Sequence, residues 1–281
     1  MYSIFHLFKS LVQQKDYFAV VQKLEDFPFD SDLLSCKNVG QFPDMALKVS
    51  PPNALFPGGE LIELKDANNY SVSSFNSTIP SGKKEIAKVF KGGNSGIKRQ
   101  MELAGDDIFS LPVRDVFYLV RGKNQKQNAQ KVVLVHGSFF ETVKIQDLIS
   151  QSFSQVLAER LAAGDLNVPP EMKQLLETIF SEQENFSKVR TVEKASVKLR
   201  FRVMTEVKAE GNILNTAKYP EIAENSLNLV LPCHDDLELT GIRQKMSAVF
   251  SEVELADFKS FKMKHHFNGY FLVYQAKIEL P

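Results

Sequence analysis

Two carboxylates and a lysine stand close together in this chain: Asp44, directly behind Pro43, and then Glu63 and Lys65 in the run Glu63-Leu64-Lys65. Two acidic side chains can hold a hard divalent cation through oxygen and leave its other positions to waters and a phosphate. A lysine two residues after the second acid lies on the same face of a strand, because side chains alternate with period two. Its ammonium can then stand beside the cation and contact an attacking water or a scissile phosphate. The chemistry implied is metal-dependent hydrolysis of a phosphodiester. Taken alone, Glu-x-Lys is a loose pattern. It recurs at Glu171-Met172-Lys173, which follows Pro169-Pro170 and opens a helix, and at Glu206-Val207-Lys208, which ends a strand-like run. Neither copy has a Pro-Asp before it, and Pro43-Asp44 is the only Pro-Asp in the sequence.

The elements that must position these residues are a pair of strands. Asp44 to Val49 is short and apolar-rich, and Pro43 is tolerated at a strand's first position. Ser50 to Gly59 holds Pro51, Pro52, Pro57, Gly58 and Gly59 and reads as a turn region. Glu60 to Lys65 reads as the second strand, with Ile62 and Leu64 toward the core and Leu61, Glu63 and Lys65 on the other face. Asp44 is then delivered to that face from the neighbouring strand.

Pro43-Asp44, a gap of eighteen residues, and Glu63-Leu64-Lys65 resemble the signature of the PD-(D/E)xK nucleases. Within that superfamily the length and single-module layout look most like a type II restriction endonuclease. The resemblance covers about Met1 to Phe140 as an arrangement of elements and five residues as a strict motif. It implies a helix, a β-hairpin carrying the motif, then further strands and a helix. It also implies Mg²⁺-dependent endonuclease activity, a hydrolase cutting double-stranded DNA at a specific sequence, in a homodimer belonging to a restriction system. Carried over by position, Asp44 and Glu63 would be metal ligands and Lys65 would orient or activate the water. Some members add an acid from the first helix, and Glu25, with Asp26 beside it, is the best-placed residue for that role.

Composition agrees with a soluble cytoplasmic enzyme. Only Cys36 and Cys233 are present, so a disulfide framework is not expected and a reducing compartment is the default. No apolar run approaches the roughly 20 residues that span a bilayer. Lys9, Lys15 and Asp16 interrupt Met1 to Val21, which reads as an amphipathic helix rather than a signal peptide; Ile4, Phe5, Phe8, Leu11, Val12, Phe18, Val21 and Leu24 recur at helical spacing.

Thirty-four basic residues balance thirty-four acidic ones, which argues against a protein that coats DNA generally but not against a sequence-specific nuclease. Local distribution is the better test. From Ile79 to Met101, Lys83, Lys84, Lys88, Lys91, Lys98 and Arg99 face the single acid Glu85, with Gly82, Gly92, Gly93 and Gly96 interleaved. The stretch reads either as a phosphate-contacting segment or as a solvated helix and loop. Directly after Lys65, residues 68–78 are dense in hydroxyls and amides, among them Asn69, Tyr70, Ser73, Ser74 and Asn76. They are candidate DNA contacts if the motif is the site, and otherwise a polar loop. On the alternating run Ala195 to Lys208, a stripe of Lys198, Arg200 and Arg202 opposes Val197, Leu199, Phe201 and Val203 and carries no acid, which suits a phosphate backbone or a solvated sheet surface.

Val113 to Arg121 and Lys131 to His136 are two β-type runs joined by a polar linker, and the uninterrupted Val132 to Val135 reads as a strand buried on both faces. Glu141 to Ala163 and Pro169 to Phe186 read as helices, Gly241 to Phe250 as another, and Phe267 to Leu280 as a terminal β segment bending at Gly269. His136 and Ser138 sit at a strand end, where a structural histidine is the simpler explanation. Cys233-His234-Asp235 and His265-His266 match no zinc spacing. Phosphate-cradling, dinucleotide and nucleophile-elbow motifs are absent.

The expected fold is α/β (α+β): a mixed central sheet flanked by helices, with a restriction-endonuclease-like core at 1–163 and a C-terminal α+β region at 164–281 that contacts DNA or continues the same domain. The expected function is sequence-specific DNA cleavage with Mg²⁺. The alternatives are a repair or junction-resolving nuclease on the same fold, and an inactive DNA-binding or assembly module in which Glu63 and Lys65 form a surface pair.

Overall fold

A computed structural model describes residues 3–37, 42–51, 54–72, 74–75, 80–90, 96–124, 126, 128–141, 145–164, 169–172, 174–175 and 205–279. The chain divides into two compact units, one of residues 1–74, 81–140 and 206–281 and the other of 75–80 and 141–205. The expected division at 163/164 differs from this. Strands from the expected C-terminal region complete the sheet that the N-terminal region begins.

That sheet belongs to the first unit and has nine strands. In chain order they are β1 (Leu34–Lys37), β2 (Met45–Leu47), β3 (Leu61–Asn68), β5 (Lys83–Glu85), β6 (Val113–Asn124), β7 (Ala129–His136), β9 (Ser226–Pro232), β10 (Lys259–His265) and β11 (Gly269–Lys277). Two-residue strands β4 (Ser74–Phe75) and β8 (Thr205–Glu206) mark where the chain passes between the units. The spatial order is β1-β2-β3-β6-β7-β9-β11-β10, with β5 beside the start of β6. Pairing is antiparallel except for β3 with β6 and β7 with β9. The architecture is therefore α/β with a mixed central sheet flanked by helices.

Alternation divides the sheet into two faces. One carries Ile62, Leu64, Phe117, Leu119, Val132, Leu134, Leu227, Leu229, Leu231, Leu272 and Tyr274. Against it pack α1 (Ile4–Gln13) and, from the C-terminal part, α6 (Asp236–Val249) and α7 (Glu252–Ala256), through Phe5, Phe8, Leu11, Met246, Val249, Phe250 and Leu255. Helix α1 is shorter than its apolar spacing predicts. It ends at Gln13, and a turn leads to the short α2 (Tyr17–Val20) and a 3-10 turn at Leu24–Asp26, while Phe18 and Leu24 still reach the same core. Burying each such side chain stabilises by about 1.5–3 kcal/mol relative to leaving it in water. Strand β7 is buried along its whole length, as expected of the uninterrupted Val132 to Val135.

Two buried polar side chains tie this face to the N-terminal segment, although Glu60 Oε2 meets no partner among the described residues. Arg121 is fully buried and forks onto Asp66 (Nε to Oδ1 2.7 Å, Nη2 to Oδ2 2.8 Å) while donating to the carbonyls of Phe18, Val21 and Gln22. It ties the segment after α1 to the sheet. Glu60 is buried just before β3 and accepts from the Ile4 amide at 2.9 Å, at the first turn of α1.

In the second unit, α5 (Ile145–Ala163) forms within the run expected to be helical, and residues 170–172 and 174–175 are helical within the expected 169–186. Among the described residues, no helix is long and apolar enough to cross a membrane.

Candidate active site

The second face of the sheet carries Glu63 and Lys65 on β3, and the parallel pairing places Tyr118 of β6 directly beside Glu63. The connection from β2 to β3 folds back on itself, with Val49 bridging Gly58 and Ser50 N donating to Pro57 O at 2.8 Å. Gly58 and Gly59 have φ of 69° and 81°, the left-handed region in which glycine alone is unstrained. A Cβ on Gly59 would also stand 3.1 Å from Leu111 and 3.3 Å from Val49. This hairpin sets the register of Met45 opposite Ile62, and Asp44 follows as the residue just outside β2.

Asp44 is 7 % exposed, and its Oδ2 accepts from the Leu64 amide at 2.8 Å. The bond ties Asp44 to β3 between Glu63 and Lys65. Lys65 Nζ lies 2.9 Å from Glu63 Oε1, with the two side chains 24 % and 13 % exposed. Glu63 Oε2 is buried and meets no donor among the described residues. Burial lifts the Glu63 carboxyl to about 7; Lys65 pulls it down, and the neighbouring Asp44 carboxyl, within hydrogen-bonding reach, pushes it up. Two carboxyls in contact need a proton or a cation between them. The three motif residues therefore converge as one group, with one buried Glu63 oxygen that meets no donor among the described residues.

The donor set suits a hard cation. Mg²⁺ is commonly held by one or two carboxylates and keeps several waters, which these two acids would allow. Glu25 does not join them. It lies in the 3-10 turn at Leu24–Asp26, where Leu24 N donates to Asp66 Oδ2 at 2.9 Å and the Leu24 side chain sits in the core with Ile62 and Leu64. That is the face opposite Glu63. Among the described residues no three His, Cys, Asp or Glu gather as a metal-binding group.

The expected DNA contacts are dispersed. Asn69 and Tyr70 form a turn straight after β3, both with positive φ (53° and 57°), and Asn69 is exposed. Tyr70 is engaged in the fold: its hydroxyl donates to Glu224 at 3.1 Å, and Asn212 donates to its carbonyl at 2.8 Å. Lys83 is exposed on β5 and faces Asp115 at 3.9 Å. Lys84 is 6 % exposed and has its partners within the protein. Arg99 is exposed on α4 (Gly96–Leu103), while Lys88 and Lys98 of the same basic stretch pair with Glu85 and Glu102. Ser74 is placed in β4. Ser73, Asn76, Lys198, Arg200 and Arg202 lie outside the described residues.

Sequence reasoning missed Tyr118. It is 1 % exposed, its ring meets Phe140 edge-on at 4.9 Å, and burial together with the Glu63 charge raises its pKa. The signal was present in the strand Val113 to Arg121, but the residue opposite Glu63 follows only from the parallel register. At the end of β7, His136 Nδ1 lies 2.8 Å from Ser138 Oγ and also accepts from the Ser138 amide, as expected of a structural histidine capping the next turn. Comparison of this chain with family models, with curated proteins and with solved structures finds no match.

Proposed function

We propose that this chain is a Mg²⁺-dependent endodeoxyribonuclease of restriction type. The observation that carries the reading is the convergence of Asp44, Glu63 and Lys65 on one face of β3, with a buried Glu63 oxygen left without a donor. The surrounding elements support it. A helix (α1) followed by antiparallel strands bearing the motif (β2 and β3) agrees with what the PD-(D/E)xK resemblance implies, whereas α4 comes before the further strands β6 and β7 rather than after them.

Asp44 and Glu63 would hold the cation. When bound, Mg²⁺ would polarise a phosphoryl oxygen and acidify a coordinated water. The chain's own residues have distinct parts in this. Asp44, fixed by the Leu64 amide, presents its second oxygen in a set position. Lys65, held at 2.9 Å by Glu63, keeps a charged donor on the same face. There it would orient the water for in-line attack on phosphorus and offset the charge that develops on the phosphate. Family resemblance adds a homodimer cutting both strands of a palindromic site.

The test is digestion of a mapped plasmid with and without Mg²⁺, followed by sequencing of the fragment ends. Discrete, Mg²⁺-dependent fragments that disappear with Lys65→Ala are expected. Fragments that persist with Lys65→Ala and Asp44→Ala would refute the site, and binding of DNA without any cleavage would favour an inactive binding module.

A further inference from the structure

We propose that the β10–β11 hairpin, at the edge of the sheet opposite β1, is a contact surface for the phosphate backbone of duplex DNA. Between Asp257 and Glu279 the sequence has no acid, yet it holds Lys259, Lys262, Lys264 and Lys277. Lys259, Lys262 and Lys264 are exposed on β10, and no ion pair is recorded for them among the described residues. Asp235, Asp236 and Glu238, at the start of α6, act together with Lys262 on the Cys233 thiol. Of these, Asp235 already accepts from the Glu238 amide and Glu238 from the His234 amide.

Lysines on an edge strand also serve to prevent edge-to-edge pairing with another chain. That role does not account for the aromatic rings beside them. Phe267 is 65 % exposed and Tyr270 is 45 % exposed, at the turn and at the start of β11. Guarding an edge has no need of such rings, whereas a polyanion-binding surface can use them, because a ring holds a neighbouring ammonium over its face and packs against the sugars between phosphates. Lys264 lies 5.9 Å from the Tyr270 ring and Lys259 5.3 Å from the Phe261 ring, so cation and ring are already side by side.

The hairpin is firmly held. Asn268 donates to the Ser138 and Phe139 carbonyls at 3.0 and 2.9 Å, and Gly269 takes φ 78° against His234, where a Cβ would stand 2.7 Å away. A rigid cationic ribbon loses little entropy on docking. It stands five strands from β3, about 24 Å across the sheet. The contact would therefore add affinity away from the scissile step.

The inference rests on the nuclease reading only in naming duplex DNA as the polyanion, and its test reads binding without cleavage. The full chain is titrated against a labelled random-sequence duplex in EDTA over a range of NaCl, as wild type and as the Lys262→Gln/Lys264→Gln variant, with thermal melting to confirm that both are folded. The variant is expected to bind on the order of ten-fold more weakly, with a salt slope smaller by about 2, one counterion for each lost phosphate contact. Unchanged affinity and slope, or a wild-type chain that does not bind duplex, would overturn the proposal. So would a concentration-dependent dimer that the variant abolishes, which would make the edge a contact between copies. Wild-type binding that depends on Lys262 and Lys264, with no Mg²⁺-dependent cleavage, would leave the surface standing and remove the nuclease reading.

Discussion

Asp44 Oδ2 accepts the Leu64 backbone amide at 2.8 Å, so one half of the motif is tied to the strand that carries the other half. Asp44 thus combines a structural bond with a charge beside Glu63 in a single side chain, and substitutions can separate the two. Asp44→Asn keeps an oxygen that accepts the Leu64 amide but removes the charge. It is expected to melt close to wild type and to lose Mg²⁺-dependent cleavage by at least about a hundred-fold. Asp44→Ala also strands a buried amide and should cost a further 1–3 kcal/mol or so in urea unfolding. Equal stability of the two variants would show that the Leu64 bond contributes nothing.

Arg121 is the buried clamp of the opposite face, with two contacts to Asp66 and three to the backbone of residues 18–22. Its removal takes two donors from Asp66, which keeps the Leu24 amide, and one from each of three carbonyls, of which those of Val21 and Gln22 keep the Lys123 ammonium. Arg121→Ala should destabilise by about 2–3 kcal/mol through lost charge-assisted hydrogen bonds, since the Asp66 left behind is 36 % exposed and can be solvated. Arg121→Lys should recover only a small part, because one ammonium cannot reproduce the planar fork. Urea unfolding measures both, and a lysine variant as stable as wild type would contradict the clamp.

Glu60 gives the pH dependence of stability a definite sign. Burial lifts its carboxyl from 4.5 to about 7 in the folded protein, against the pull of the Ile4 amide. A raised folded pKa means that its contribution is fully present below pH 4.5 and is lost as pH rises through about 7. The loss is on the order of 3 kcal/mol. Glu60→Gln keeps an acceptor for the Ile4 amide and does not ionise. Its stability should match wild type in acid and exceed it at pH 8, with the difference opening between pH 4.5 and 7. Glu63, lifted to about 7 as well, keeps part of the slope in the variant. Parallel curves for the two proteins would show that Glu60 does not titrate in this window.

The motif face was legible because it depends on alternation within one short strand, and Ile62 and Leu64 do point to the core opposite Glu63 and Lys65. The buried centre of the sheet was legible from Val132 to Val135 for the same local reason. What depends on distant pairing was not. Strand β9 reads Ser226-Leu227-Asn228-Leu229, as though one face were wet. Yet Asn228 is fully buried, bonded to Ser226 and to Gln275 of β11. Strand β10 was missed although Lys262 and Lys264 alternate with Phe261, Met263 and His265. The basic run from Ile79 to Met101 looked unopposed only because Asp115 reaches Lys83 from a remote strand and Glu102 lies one residue past the window. Glu25 looked available because the helix was read straight through Gln14, where the chain turns.

Gly122 bears on how β3 ends. A Cβ there would stand 2.6 Å from Leu214 Cδ1 and 2.8 Å from Tyr70 Cδ1. Tyr70 occupies that space in a left-handed conformation that costs roughly 1–2 kcal/mol for a residue other than glycine. The cost is met by the Lys131 ammonium 5.1 Å over its ring, by Glu224 on its hydroxyl and by Asn212 on its carbonyl. Gly122→Ala must displace the ring or Leu214, and should destabilise by about 1–3 kcal/mol. In a Tyr70→Ala background the ring is gone and part of the clash with it, so Gly122→Ala should cost measurably less there than in wild type. Urea unfolding of the four proteins closes the cycle. Simple additivity would mean that Tyr70 does not depend on the space at Gly122, and that the turn leaving β3 is held by its polar contacts alone.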